Sequence, residues 1–231
     1  MSGVALVVIS DGRGYLAESI PSLIANAKPE WFSSAVIVDD DPESAASVWA
    51  MGELVSWGIE AVSLQMHTTR NGGAAAIRTA WANLDPADYV FHLEEDFTFR
   101  GRIPLPEMVS VLKSDPNLAN IVLRRGPHGA EGPDGYIGDD PKGHILHIKS
   151  NGPEPDLLPF THYLVHDKGF WLNPCVYPAS IAARGWPEHG HEHDFSAKLK
   201  ADGFRFAVYG THDDPPRVTH IGDRRAAAWT W

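Results

Sequence analysis

The apolar run from Tyr89 to Leu93 ends abruptly in three consecutive carboxylates, Glu94, Glu95 and Asp96. Carboxylates crowded at the end of a buried segment repel one another and lose hydration, so they need a cation or strong hydrogen-bond donors to offset them. A divalent metal that also holds a phosphorylated ligand would do both. The alternative is a solvated acidic turn, the common fate of short charge runs.

A second concentration of chemistry lies at Trp186 Pro187 Glu188 His189 Gly190 His191 Glu192 His193 Asp194 Phe195, where general-base candidates and metal ligands share one stretch of chain. Its two spaced histidines resemble the metallo-β-lactamase pattern, which gives a metal-dependent hydrolase built on His189, His191 and Asp194 as one reading. The order His193 Asp194 is reversed from that pattern, and little chain follows to supply further ligands. The other reading places Glu192 just before a helix beginning near Asp194, with its carboxylate facing a cleft while Phe195 and Leu199 bury the opposite side. Asp194 then caps the helix, worth about 1 kcal/mol, and His189 and His193 are solvated or satisfied locally. A third point is Val218 Thr219 His220 Ile221 Gly222, an imidazole in a short extended stretch. One His and one carboxylate, completed by diphosphate oxygens and water, form a reasonable shell for Mn²⁺ or Mg²⁺. His212, Asp213 and Asp214 compete for the same assignment.

These groups must be positioned by regular elements. Val4 to Ile9 is a continuous β-branched and aliphatic run ending in Ser10 Asp11 Gly12 Arg13 Gly14, after which Tyr15, Leu16, Ile20, Leu23 and Ile24 recur at helical spacing. Ala35 to Val38 reads as a second strand closed by Asp39, Asp40 and Asp41, Ser44 to Trp57 as a helix, and Ile59 to Leu64 as a third strand. Asn71 Gly72 Gly73 opens a small-residue helix through Trp81, and Tyr89 to Leu93 is the fourth strand. Such alternation predicts a parallel sheet with helices on both faces, whose ligands lie beyond the carboxyl ends of the strands. A strand is expected at Ile121 to Leu123, then a long loop or small hairpin subdomain over 124–168. Apolar character resumes from Phe170 to Tyr177. A short helix over Pro178 to Arg184, another over Asp194 to Ala201, and a late strand from Phe204 to Tyr209 follow.

The chain of 231 residues, 43% hydrophobic and 21% charged, is long enough to bury one large core without staples. A net charge of −11 and the absence of any Lys/Arg block disfavour a duplex-gripping surface, leaving only local patches at Arg124 and Arg125 or Arg224 and Arg225. The single Cys175 excludes an intrachain disulfide and a cysteine-based zinc site. No apolar run approaches a bilayer span of about 20 residues, and only Met1, Ser2 and Gly3 precede the first strand, so the default location is the cytoplasm.

Taken in order, the pieces resemble the GT-A fold glycosyltransferases of the family 2 type across nearly the whole chain. The resemblance is carried by Val7 Val8 Ile9 Ser10 Asp11 Gly12 Arg13, Val36 Ile37 Val38 Asp39 Asp40, Asn71 Gly72 Gly73, the carboxylate triplet, Gly185 Trp186 Pro187, Glu192 to Phe195 with Lys198 Leu199 and Gly203, and His220 Ile221 Gly222. It implies a single α/β domain over 1–231 of GT-A, Rossmann-like type, with a mostly parallel central sheet flanked by helices and a long loop or small subdomain over the site. The half at 1–100 would bind the nucleotide sugar, and the half at 101–231 would bind the acceptor and carry catalysis. By correspondence with the family, Ser10, Asp11, Arg13, Asp39 and Asp40 hold the nucleoside, joined at the donor by Asn71, Arg78, Glu94 and Glu95. Asp96 stands at the last Asp of the family's DxD motif and is its metal ligand together with His220, the metal being Mn²⁺ or Mg²⁺. Glu192 is the catalytic base, with Asp194 the alternative because Glu192 His193 replaces the usual acidic pair. The implied activity is an inverting hexosyl or pentosyl transfer from a nucleotide-diphosphate sugar, a UDP-sugar foremost, to the hydroxyl of a small molecule, a protein or a modified DNA base. The alternatives are the hydrolase above and a non-catalytic nucleotide-sugar-binding module.

Overall fold

The computed structural model describes residues 3–123, 145–150, 162–188, 191–210 and 214–222. Its first part alternates strand and helix: β1 (Val4–Ser10), α1 (Leu16–Asn26), β2 (Phe32–Asp39), α2 (Ala46–Trp57), β3 (Val62–Met66), α3 (Gly73–Ala82) and β4 (Tyr89–Glu94). There follow β5 (Phe97–Phe99), α4 (Leu105–Ser114), β6 (Leu118–Val122), β7 (Ile145–Ser150), β8 (His162–His166), β9 (Cys175–Pro178), α5 (Ala179–Ala182), α6 (Glu192–Ala201), β10 (Arg205–Tyr209) and β11 (Val218–His220).

Nine strands form one sheet in the order β3-β2-β1-β4-β9-β6-β10-β8-β7, while β5 and β11 make a separate two-stranded ribbon. Parallel pairing links β3, β2, β1 and β4, and again β6 and β10, whereas β9 and β8 are antiparallel to their neighbours. Only β8 and β9 therefore run against the common direction.

Every residue of β1 is buried, because both faces of the sheet are covered. Val4, Leu6 and Val8 enter a core with Leu16, Ile20 and Leu23 of α1, Ala50 and Leu54 of α2, and Met108 and Leu112 of α4. Val7 and Ile9 point the other way, into a core with Ala76, Ile77 and Ala80 of α3 and Phe195 and Leu199 of α6. The continuous apolar run thus feeds two cores by strand alternation.

The third strand starts at Val62 rather than Ile59. Gly58 ends α2 with φ 118°, donating its N–H to the carbonyls of Leu54 and Val55, and the Ile59 N–H bonds Leu54 as well. Buried Ile59 is therefore the hydrophobic partner of a helix C-cap, not a strand residue. Helix α6 begins at Glu192, two residues earlier than the sequence spacing predicts, and α4 and β5 are elements to which the sequence reading assigned nothing. Of the stretch 124–168, β7 and β8 pair antiparallel at the edge of the main sheet. Arg124, Arg125 and residues 126–144 and 151–161 lie outside the described residues. No helix among the described residues is long and apolar enough to cross a membrane.

Candidate functional site

The sheet's register sets Ser10 beside Asp39, and Ile9 beside Glu94, so the polar ends of β1, β2 and β4 form one row. Chain order reverses between β1 and β4, which makes this the crevice where ligands bind in open α/β sheets. Two further bonds carry the row past the strands: the Asp40 N–H donates to the Ser10 carbonyl and the Glu95 N–H to that of Ile9, each at 2.9 Å.

The three carboxylates have distinct surroundings. Glu94 is half-buried at the end of β4. Glu95 turns inward and accepts the Asp11 N–H at 3.0 Å, the Ser10 hydroxyl at 3.2 Å and the Arg13 N–H at 3.3 Å. Burial, then the side-chain hydrogen bond with Asp11, pushes its pKa up to about 8, so it is an anchor for the β1 loop held as a neutral acid at pH 7. Asp96 is the ionised member. Burial works to raise its pKa, but the His220 hydrogen bond and charge, with those of Arg13, outweigh it and hold the group below the ordinary range.

Asp96 Oδ2 lies 3.1 Å from His220 Nε2 and accepts from Arg13 Nη2 at 3.0 Å. Its Oδ1 is buried and accepts no hydrogen bond. The ribbon delivers His220: it pairs with Phe97 across β5 and β11, its ring packs tilted against that phenyl with centroids 5.0 Å apart, and the Ile221 N–H bonds the Asp96 carbonyl at 2.8 Å. Gly222 passes so close that a Cβ there would sit 2.6 Å from Asp96 Oδ2. Among the described residues no group of three or more His, Cys, Asp or Glu is arranged to hold a metal. Asp96 and His220, with Asp96 Oδ1 buried and unsatisfied, nevertheless fit a divalent cation whose shell a ligand's oxygens complete.

Arg13 reaches across this pair. Its Nε donates to Asp11 Oδ1 at 2.6 Å and stands 3.7 Å from Glu95, and its guanidinium lies over the Tyr15 ring at 5.3 Å. Burial works against its charge, but the hydrogen bond to Asp11 and the charges of Asp96, Asp11 and Glu95 raise its pKa further.

On the β2 side the two aspartates differ. Asp39 is fully buried; one oxygen accepts the Asp41 N–H at 3.0 Å and Oδ2 accepts nothing. Asp40 is saturated, with His67 Nδ1 at 2.7 Å and the N–H groups of Asn71 and Gly72 both at 2.8 Å. His67 Nε2 in turn meets the Thr79 hydroxyl at 2.8 Å. Asp40 therefore ties β2 to the start of α3, where Gly72 adopts φ 81°. The Asn71 side chain is exposed and accepts from Thr69. Arg78 donates to the carbonyls of Pro187 and Glu188 at 3.1 and 2.9 Å, anchoring the loop that leads to α6.

In that helix Glu192 Oε1 accepts the Leu172 N–H at 2.7 Å. Burial, and next the charges of Glu192 and Glu94, raise the pKa of the Cys175 thiol at the start of β9, so both carboxylates lie within electrostatic reach of one buried point. The Ser196 hydroxyl donates to the Glu192 carbonyl and accepts the Phe170 N–H, pinning the 167–174 loop to α6. Asp194 reaches back to accept the His191 N–H at 3.0 Å, closing the helix from its third residue. His193 is exposed and 3.8 Å from Asp194. His189, His212, Asp213, Arg224 and Arg225 lie outside the described residues. His67 and the Leu172 amide were not anticipated, and Gly222 was named only as part of the motif with His220; His67 directly follows β3, whose end at Met66 lies two residues beyond the expected one.

No protein-family model matches the chain. No curated protein matches it by sequence. Solved structures do match. GalNAc-T7 with UDP, GalNAc and Mn²⁺ superposes with a TM-score of 0.65 at 14% identity, over 99% of this chain and 45% of that one. A mannosyltransferase from Pyrobaculum calidifontis in complex with GDP-Man and Mn²⁺ gives 0.61 at 17% identity, over 92% and 55%. S. aureus TarS 1–349 in complex with UDP-GlcNAc gives 0.62 at 11% identity, over 97% and 62%. The chain thus spans between about half and three-fifths of these three structures, and it has their GT-A fold, with a mixed sheet flanked by helices.

Proposed function

We propose that this chain is a metal-dependent glycosyltransferase that moves a sugar, with inversion, from a nucleotide-diphosphate donor to an acceptor hydroxyl. The observation that carries the reading is the meeting of Asp96 and His220 at 3.1 Å beyond β1 and β4, with Asp96 Oδ1 buried and unsatisfied. Support comes from the fold shared with structures holding UDP, UDP-GlcNAc or GDP-Man, two of them with Mn²⁺. A UDP-sugar is the first donor to test.

In this reading residues 1–100 hold the donor. The unsatisfied Asp39 Oδ2 takes a nucleoside donor group, while Asp40 and the Asn71–Gly72 amides keep the adjoining loop in place. Glu95 fixes the backbone of Asp11 and Arg13. Asp96 and His220 would hold a divalent cation, Mn²⁺ or Mg²⁺, which offsets the charge developing on the leaving diphosphate. Glu192, oriented by the Leu172 amide, takes the acceptor proton from the face opposite the leaving group. Asp194, engaged with the His191 N–H, shapes the helix end instead.

The test is nucleotide release from UDP- and GDP-sugars with Mn²⁺, water serving as acceptor. Glu192→Gln should lower kcat by about 10² to 10⁴ with donor affinity retained, and Asp96→Asn should abolish Mn²⁺-dependent donor binding. Full activity in both variants ends the proposal. Donor binding without any turnover by the unaltered protein would assign a binding module.

A further inference from the structure

Arg13 competes with the proposed cation for the same carboxylate. The guanidinium donates to Asp96 Oδ2, the oxygen that also meets His220, while its Nε holds Asp11. The buried aspartate thus has a positive partner within the protein. Geometry leaves little room for a second: Arg13 bridges two buried aspartates, with Nε 2.6 Å from Asp11 Oδ1 and Nη2 3.0 Å from Asp96 Oδ2. A divalent cation entering beside Asp96 would meet the guanidinium at close range, and like charges at low dielectric repel strongly. An incoming diphosphate relieves that conflict, because it offers the guanidinium a bidentate partner of the kind arginine favours.

We infer that Arg13 is an internal counter-cation that keeps Asp96 from binding metal until a nucleotide diphosphate draws its guanidinium away. The inference rests on the proposed metal site, and it makes the order of assembly a property of this chain: metal alone binds weakly, diphosphate binding first makes the site available, and each ligand strengthens the other by linkage. Arg13 is here a positioning residue whose removal moves two affinities in opposite directions. A merely structural arginine would weaken both.

The experiment is calorimetric titration of the whole chain with MnCl₂ alone, with UDP alone, and with MnCl₂ at saturating UDP, comparing the unaltered protein with Arg13→Gln. Arg13→Gln should bind Mn²⁺ alone at least tenfold more tightly and UDP alone at least tenfold more weakly. Arg70→Gln removes an equal charge from an ion pair with Asp41 that does not touch Asp96, and it should leave Mn²⁺ affinity within about twofold. Equal tightening in Arg70→Gln would reduce the effect to net charge, and unchanged or weaker Mn²⁺ binding in Arg13→Gln would overturn the inference. Should Arg13→Gln not fold, Arg13→Lys serves: its single ammonium cannot bridge Asp11 and Asp96 together, so Mn²⁺ should still bind more tightly than to the unaltered protein, and no gain would overturn the inference. If the unaltered protein shows no Mn²⁺ binding even with UDP, the metal site itself fails, an outcome separate from a site that binds with UDP but ignores Arg13.

Discussion

Asp39 and Asp40 are adjacent, both buried and both acidic, yet the structure gives them different surroundings. Asp40 spends its oxygens on His67, Asn71 and Gly72, whereas Asp39 keeps Oδ2 without a partner. Hydrogen bonds to a charged acceptor contribute about 1.5 to 3 kcal/mol each when both partners are in place. Asp40→Asn replaces one acceptor oxygen by a donor facing N–H groups, and a loss of about 2 kcal/mol, or roughly 4 to 8 °C in Tm, is expected. Asp39→Asn disturbs no bond made through Oδ2, so its melting temperature should stay near that of the unaltered chain while UDP affinity falls at least about tenfold. Thermal melts and UDP titration of the two variants separate these roles; identical profiles would show that the pair acts as one unit. The same contrast marks the limit of reading the chain by eye. Two aspartates after an apolar run advertise a strand-end site, but which of them faces a ligand depends on where residues 67 to 72 return, and that is tertiary information.

At the scale of elements, the ribbon of β5 and β11 is what turns a strand-end carboxylate into a two-residue site. Only two residues separate it from the end of β4, and its pairing of Phe97 with His220 spans 123 positions of sequence. Gly222 completes the fit, and it needs no unusual backbone, only the absence of a side chain. Gly222→Ala would place a Cβ 2.6 Å from Asp96 Oδ2, inside any normal contact distance, so the carboxylate must turn or the ribbon must shift. Expected is at least a tenfold loss of Mn²⁺ affinity measured with UDP present, with the far-ultraviolet circular dichroism unchanged; unaltered Mn²⁺ affinity would show that the ribbon is not the clamp. Strands β1, β2 and β4 and helix α3 could be read from sequence because buried parallel strands are continuous apolar runs ending in polar loops. Ile59 misled because a C-cap contact and a strand both want a buried aliphatic residue. Helix α4 did carry the signal, with Leu105, Met108, Val109 and Leu112 at helical spacing after Pro104. Only the family resemblance separated Asp96 from Glu95 in sequence; physically, it is the turn after β4 that sends Glu95 under the β1 loop and Asp96 toward His220.

For the molecule as a whole, the sheet's two covered faces leave little water inside, and titratable groups caught there couple stability to pH. His92 sits in the middle of β4 opposite Cys175, fully buried, with Nδ1 3.5 Å from the Tyr177 hydroxyl and Nε2 unsatisfied. Burial alone lowers its pKa from 6.5 to about 3, so the native protein holds it neutral. The unfolded chain takes up the proton near pH 6.5 and the folded chain does not until about pH 3. The contribution is therefore fully present above pH 6.5 and is lost as pH falls toward 3. By linkage this one group should remove about 2 kcal/mol of stability between pH 7 and pH 5. Urea unfolding at those two pH values should show that loss in the unaltered chain and a loss smaller by about the same amount in His92→Gln, whatever the variant's stability at pH 7. An equal acid sensitivity in both would mean that His92 takes up its proton while folded, and that water reaches the centre of the sheet.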